Sequence, residues 1–537
     1  MNEAETSRRR FLAQTAHGLS AAALADLVAA GRADAAANRT PTNDPAAGLG
    51  LAWTGRLPWG RVLDITTVPG RDWHERLEEA QSKLAAQGGG VVFFPAGVYD
   101  FRDSIAIKDG VVLRGADPNR ARTALDEDYL PPARFEFPRY RPLLSGDGMP
   151  IDTAFKGIYL EDPAWASNCG VVNLFVNRGH VHLDEAEGHE VGSNRLVFGC
   201  VLQNAAVADL DVPDLSIGQH AWQRYTRWHF AAIDVKAHEN TLVANNRLIR
   251  STDSFTMPGY LVLGRGKNAG NNAFDVVFDY DNRPGIEANH FCSGAPGGEA
   301  PSGTPESHPW AFRKGIVIRQ NYIFSTGRTA IAFNGDGTIC AGNVVRFPPD
   351  VWRPTNTGRH TSSGSSTNDN RAVEMRGYRW RVEDNDYEVY RNWAADHKYY
   401  INDGEGLMHE NHCNSALIGS TLMQNRGNAY LSLYKIGLID GLAVERNDVR
   451  VPEKIKDGLN QAVAIYVEAD RDIRNNNRGP CRNVTIAGNT TAGGILLGGE
   501  PSSGNVIRGN RNLGATAAIK LRAEARLDGN EGYETTA

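Results

Sequence analysis

The chain has 537 residues, 41% hydrophobic and 22% charged, with 57 glycines and a formal charge of −6. That hydrophobic share is too high for a disordered chain, and 57 Lys and Arg against 63 Asp and Glu argue against a bulk nucleic-acid binder, which is normally basic. No apolar run beyond the N-terminus approaches the length of about 20 residues that a membrane-spanning helix needs. Asparagine is unevenly placed, with four in residues 1–167 and 37 in residues 168–537. Gly and Asn are poor in helix interiors, so the last two-thirds reads as turn-rich β structure. A chain of this length ordinarily splits into several domains, but repeat architectures escape that ceiling because each unit contacts only its neighbours.

In chain order, Ser7-Arg8-Arg9-Arg10-Phe11-Leu12 precedes a mild apolar run from Ala21 to Ala30 and small residues at 33–37. Residues 1–37 resemble a bacterial twin-arginine export signal, cleaved near Ala35 or Ala37. The resemblance implies a periplasmic or secreted protein, translocated already folded. Residues 38–60, rich in Pro, Gly, Ala and Asn, read as a linker. Arg61–Ile65 predicts a short strand. Asp72 is a candidate N-cap for a helix carrying Trp73, Leu77, Ala80 and Leu84 at helical spacing, and Gly88-Gly89-Gly90 ends it. Val91–Tyr99, Ile105–Ile107 and Gly110–Gly115 follow as strands. A lone helix over the first strands suits the cap that an open solenoid end requires.

Past residue 168 one pattern recurs: a short apolar strand, an Asn, a turn. It ends at Asn173, Asn204, Asn245, Asn321, Asn343, Asn385, Asn411, Asn447, Asn489 and Asn510. A coil of about 20 residues with inserted loops explains the uneven steps and fits a parallel β-helix. Asn tolerates the left-handed turn conformation and bonds backbone groups, so stacked copies predict a ladder. The six cysteines contain no CxxC pair. Cys169 and Cys200 occupy similar places in successive repeats, which leaves a stacked pair open beside buried free thiols.

The segment Asp64 to Asp117, above all Gly88-Gly-Gly-Val-Val-Phe-Phe-Pro-Ala-Gly-Val-Tyr99 and Val112-Leu-Arg-Gly115, resembles the N-terminal cap of pectate-lyase-like right-handed parallel β-helix proteins. With the repeats, the resemblance covers about residues 60–530 and implies an all-β, right-handed single-stranded parallel β-helix over 61–537, with a short capping helix. It implies a polysaccharide lyase, hydrolase, epimerase or tailspike-like activity without choosing. The ordered signatures of polygalacturonases and pectate lyases are missing, so no catalytic residue carries over.

Each coil has a second strand with a polar end. Alternation turns Ile331/Phe333, Val373/Met375, Leu431/Leu433 and Ile465/Val467 inward, and Asn334/Asp336, Glu374/Arg376, Ser432/Tyr434 and Glu468/Asp470 outward. Asp336 and Glu405, two coils apart on this alignment, would lie about 10 Å apart, and Asp403 and Glu405 about 7 Å. Either pair approaches the separation of about 6.5–9.5 Å that an inverting glycosidase needs. A lyase instead needs a base and cations beside the uronate carboxylate. Lys236, Arg376 or Lys435 supply the charge, with Glu374, Asp403 and Glu405 as candidate oxygen ligands of a calcium ion. Substrate contacts are expected from Asn334, Tyr434, Lys435 and from Trp352 and Trp380, with Trp393 near them, as stacking surfaces. The inserts 292–309, 354–370 and 470–480 are candidate cleft walls.

His180, His182 and Asp184 share one strand face, but a solvated strand explains them as well as a metal does. His409-Glu410-Asn411-His412 lacks the spacing of a helical zinc motif and reads as a turn. The expectation is an exported polysaccharide-cleaving β-helix, lyase or hydrolase, acting on an acidic polysaccharide. The alternative is a non-catalytic carbohydrate-binding or structural β-helix.

Overall fold

A computed structural model describes residues 42–118, 122–138, 156–183, 191–203, 232–249, 274–276, 313–324, 329–347, 371–389, 405–451, 463–472, 477–514 and 517–536. The export segment 1–37, Trp352, Trp393, Asp403, Asp184, Asn204 and the inserts 292–309 and 354–370 lie outside the described residues.

The described strands repeat in threes. Sheet I has 14 strands, sheet II 12 and sheet III 15, and along each sheet the neighbours come from successive coils. One coil runs Ile339–Ala341 in sheet I, Val344–Phe347 in sheet II and Arg371–Tyr378 in sheet III. Every pairing along the three sheets is parallel; for example, Ile331, Phe333 and Asp336 face Val373, Met375 and Tyr378. This is a right-handed parallel β-helix, with the handedness that parallel crossovers take.

Alternation sets what fills it. Ile331, Val373, Leu431, Ile465 and Ile495 stack in register inside the coils and are buried, as are Phe333, Met375, Leu433 and Val467. Each such side chain contributes about 1.5–3 kcal/mol on burial. Trp380, expected as a sugar platform, lies in this core at 0% exposure. It follows the left-handed turn at Arg379 (φ 49°), which brings residue 380 inward at the corner between sheets III and I.

The turn from sheet I to sheet II holds the asparagine ladder, running through Asn246, Asn321, Asn343, Asn385, Asn425, Asn447, Asn489, Asn510 and Asn530. In each rung from Asn321 to Asn510 the side-chain oxygen accepts from the previous Asn, and the amide donates forward and to a backbone carbonyl. Asn343 Nδ2 donates to Ile318 O (3.1 Å) and Asn385 Oδ1 (2.9 Å). The residue before the rung takes the left-handed conformation: Asn245, Gln320, Gly342, Asp384 and Gln424 have φ of 54° to 65°. Three expected rungs therefore move: Asn173 (φ 52°) is a left-handed turn residue followed by Leu174, with its amide donating to Asp117. Asn245 is the left-handed residue before rung Asn246, and Asn411 lies in a sheet III irregularity while Asn425 makes the rung. Cys200 stands in the ladder's line before Asn246, its N–H donating to Asn246 Oδ1 (2.9 Å). Cys169, Cys200, Cys340 and Cys481 are buried free thiols, so Cys169 and Cys200 form no pair.

The helix Trp73–Ala85 closes the N-terminal end. Asp72 accepts from the Glu75 N–H (3.0 Å), and Leu77, Ala80 and Leu84 face the core. Buried Gln81 does more than fill space: its amide donates to Ala106 O (2.8 Å) and accepts from the Lys108 N–H (3.0 Å). Those groups belong to the first strand of sheet III, whose edge would otherwise stand open to pairing. Residues 42–60, expected to be linker, instead form two short 3-10 turns that bury Ala46, Trp53, Leu57 and Trp59 on outward Val91, Val112, Val172, Leu196 and Leu242 of sheet I. Arg114, fully buried, holds this strap by donating to Asn43 O (2.6 Å) beneath the Trp59 ring.

Candidate functional site

The outward face of sheet III has two columns of residue positions, one residue per coil and about 4.8 Å between coils. The first runs His182, Asp234, Asp275, Ala332, Glu374, Met408 and on to Ser432 and Tyr466. The second, two residues further along each strand, holds Lys236 and then Asn334 opposite Arg376, Glu410 opposite Tyr434, and Glu468 opposite Gly498. Extending the register of Glu374 with Met408 by two residues puts Arg376 beside Glu410, and extending Leu433 with Val467 puts Tyr434 beside Glu468. In register, Asn334, Arg376, Glu410, Tyr434 and Glu468 thus occupy successive positions of this column on five coils.

Among the described residues, three outward carboxylates of sheet III are buried, whereas Lys520 and Arg522 on the same face are exposed and the buried outward charges of the other sheets are the cations Arg114 and Arg247. Asp234 is 1% exposed, Glu374 0% and Glu468 3%. On sheet II, Asp386, Arg426 and Asp448 form a solvated ion-pair column in which the Arg426 side chain is 69% exposed; on sheet I, Arg381 is 54% exposed. Burying an ionised side chain costs several kcal/mol unless it is paired. Lys236 lies 3.8 Å from Asp234, and Glu468 accepts from Arg522 and Tyr466.

Several expected groupings come apart. Glu405 opens its strand opposite Arg371, which faces Thr329, whereas Asp336 ends the strand that Thr329 begins. Asp336 and Glu405 are therefore seven residues out of step as well as two coils apart, about 25 Å between Cα atoms. They cannot flank one bond. Asp336 is also occupied: Arg379 on the next coil donates to both of its oxygens, Nε at 2.8 Å, and this bond raises the arginine pKa. Lys435 sits where the register shifts between Tyr434 and Ile436.

Of the expected calcium ligands, Asp403 lies outside the described residues. Glu374 faces Met408, so Glu405 lies three residues back on the neighbouring coil, about 11 Å away at Cα. Among the described residues no three His, Cys, Asp or Glu side chains gather as a metal would require, and no step below passes through a metal. His180 is buried and its ring lies 4.9 Å from that of His182, which meets Tyr159 edge-on at 5.5 Å.

Asp275 and Glu410 are site positions the sequence reading missed. The signal for Glu410 was present: Leu407-Met-His-Glu410 has the same inward-outward alternation as Leu431-Ser-Leu-Tyr434, but Asn411 matched the turn pattern and drew the strand into the wrong sheet.

No family model and no curated protein matches the chain in sequence. Solved structures resemble it at low identity. A surface adhesin of Streptococcus pneumoniae has 12% identity and a TM-score of 0.40 over 89% of this chain and 92% of its own. The mannuronan C-5 epimerase A-module of Azotobacter vinelandii has 11% and 0.37 over 88% and 99%. A tailspike of E. coli bacteriophage HK620, in complex with a pentasaccharide, has 13% and 0.37 over 86% and 69%. None of these likenesses transfers a residue or an activity.

Proposed function

We propose that this chain is an exported enzyme that binds an acidic polysaccharide along the outward face of sheet III and cleaves it by β-elimination. The observation that carries the reading is the placement of buried carboxylates: among the described residues Asp234, Asp336, Glu374 and Glu468 are the buried acids, and all four lie on strands of this sheet, a costly arrangement that supports a functional face. The order of groups in the second column supports elimination. Arg376, flanked by Asn334, takes the uronate carboxylate through its planar fork and acidifies the adjacent C–H. Glu410 accepts that proton; the C–H electron pair becomes the new C=C bond, the glycosidic C–O bond breaks, and Tyr434 protonates the departing oxygen. Lys236, three coils from Arg376 and thus about 14 Å away, neutralises the carboxylate of a different sugar unit.

One observation favours hydrolysis as a second reading. Ala332 separates Asp275 from Glu374 in the first column, two coil rises or about 10 Å, close to an inverting carboxyl pair around a small residue. Incubation with a panel of uronate polymers separates the readings. Ultraviolet absorbance of unsaturated uronate product marks the lyase, and new reducing ends without it mark the hydrolase. Binding without either product marks a non-catalytic carbohydrate-binding protein. For the lyase, Arg376→Met and Tyr434→Phe each lower kcat/KM by about a hundredfold or more, and unchanged kinetics in both would sink the placement. Loss of periplasmic protein on replacing Arg8 and Arg9 by Lys tests export.

A further inference from the structure

We infer that Glu468, Gly498 and Arg522, at the C-terminal end of sheet III, form a second anion-binding position for the carboxylate of a sugar unit remote from the reacting one. The inference rests on the reading above that an acidic polysaccharide lies along this sheet. The strands Val463–Glu468, Gly494–Gly498 and Ala517–Arg522 put the three residues in one outward column. Glu468 accepts a hydrogen bond from Arg522 Nη1 at 3.1 Å, although a whole coil lies between them. Glycine makes that reach possible: a Cβ at 498 would stand 2.7 Å from Glu468 Oε1. The Tyr466 hydroxyl donates to the other carboxylate oxygen, so the anchor is fixed from both sides.

Arg522 itself keeps 49% of its side chain in solvent while Glu468 keeps 4%. The guanidinium has five donors in a rigid plane. Holding one edge on a buried carboxylate orients the plane and leaves other donors open, which lowers the entropy cost of gripping a second carboxylate. Exposed Lys520 stands two residues back on the same face, opposite Leu496, which packs with Val463 and Tyr466 in a small buried cluster. Two exposed cations on one face match the carboxylate of an acidic sugar. An ordinary exposed ion pair would not need its acid buried, nor a glycine cleared for it.

Arg522 lies three coil rises from Tyr434, about 14 Å. A pyranose unit in an extended chain is about as long as one rise, so a polymer must extend some three units past the reacting position to reach it. Short oligomers bind without it.

The test is calorimetric titration of the full chain with oligogalacturonates and oligomannuronates of about two and about eight units, a span set by the coil spacing. The wild type binds the octamer more tightly than the dimer. Arg522→Gln weakens the octamer about tenfold and leaves the dimer unchanged. Gly498→Ala, which wedges Glu468 from Arg522, gives the same selective loss with an unaltered circular dichroism spectrum. Equal octamer affinity in wild type and R522Q overturns the subsite and leaves the polysaccharide reading standing. An equal loss for a neutral octamer also overturns it. A wild type that binds neither oligouronate overturns the polysaccharide reading and the subsite with it.

Discussion

Single residues in this fold are constrained chiefly by what lies one coil above and below. The buried thiols show it through their chemistry. Burial pushes Cys169, Cys200 and Cys481 up to about 12, and Cys340 is raised for the same reason. A thiol in an unfolded chain ionises near about 8.5. Because the folded pKa is the higher one, the stability these groups contribute is complete below that unfolded value and is lost as pH rises toward the folded one. Buried Tyr129 and Tyr387, raised by burial as well, act in the same direction. Denaturation midpoints measured stepwise should therefore stay level up to about pH 8 and fall beyond it. Disulfide-exchange labelling should find these four thiols silent in the native protein and reactive after denaturation. Rapid native labelling at Cys200 would contradict its place in the ladder.

Elements carry the next level of argument, and the strap at residues 42–60 is the instructive one. Its Pro, Gly and Ala content reads as linker, yet Trp53, Leu57 and Trp59 are 4–6% exposed and cover an apolar outer face of sheet I. Removing residues 1–60 should leave Val91, Val112, Leu196 and Leu242 bare and drive aggregation. A chain beginning after Ala37, where the export signal is expected to be cut, keeps the strap and should remain monodisperse. Trp59→Ala should cost about 3–5 kcal/mol in a denaturant titration; a loss under about 1 kcal/mol would mean the strap does not hold the sheet.

The difference between strap and coils explains what was legible in the sequence. Strands and Asn turns were readable because alternation and left-handed turn residues are local signals. The cap was readable for the same reason, from Asp72 and the three glycines. Register was not local: whether Glu405 faces Thr329 or Asp336 depends on how many residues the intervening inserts loop out. The inward set Ile331, Val373, Leu431 and Ile465 survived because a column of apolar residues tolerates a slip of two. A carboxylate pair does not, and Asp336 with Glu405 was lost. The outward polar strand ends were visible as a stripe, but only pairing shows that Arg376 adjoins Asn334 and that Tyr434 adjoins Glu410.

At the scale of the molecule the asparagine ladder makes position along the axis an energetic variable. The side chain of an interior rung such as Asn343 makes four hydrogen bonds to nitrogen and oxygen groups, accepting from the N–H and Nδ2 of Asn321 and donating to Ile318 O and Asn385 Oδ1, beside a 3.4 Å contact from Nδ2 to Cys340 Sγ. All four are buried, so truncation strands donors and acceptors that water does not reach, each costing about 1–3 kcal/mol before relaxation. Asn530, the last described rung, accepts two bonds from Asn510 and donates to Ile507 O, and all three are partly solvated. Solenoid coils are stabilised by nearest neighbours, so a broken interior rung weakens the stack on both sides and a broken terminal rung frays one end. Asn343→Ala should lower stability by about 3–5 kcal/mol and Asn530→Ala by about 1 kcal/mol, read from denaturant midpoints at constant slope. Equal losses would mean that the ladder's worth lies in shaping each turn separately. The left-handed residues are Gly342 and Gly529, not the rungs, so Asn→Gly removes the amide without supplying a turn conformation and should cost at least as much as Asn→Ala at either site. A graded loss with Asn→Gly at least as costly as Asn→Ala identifies the amide stack itself as the axial bond of the molecule.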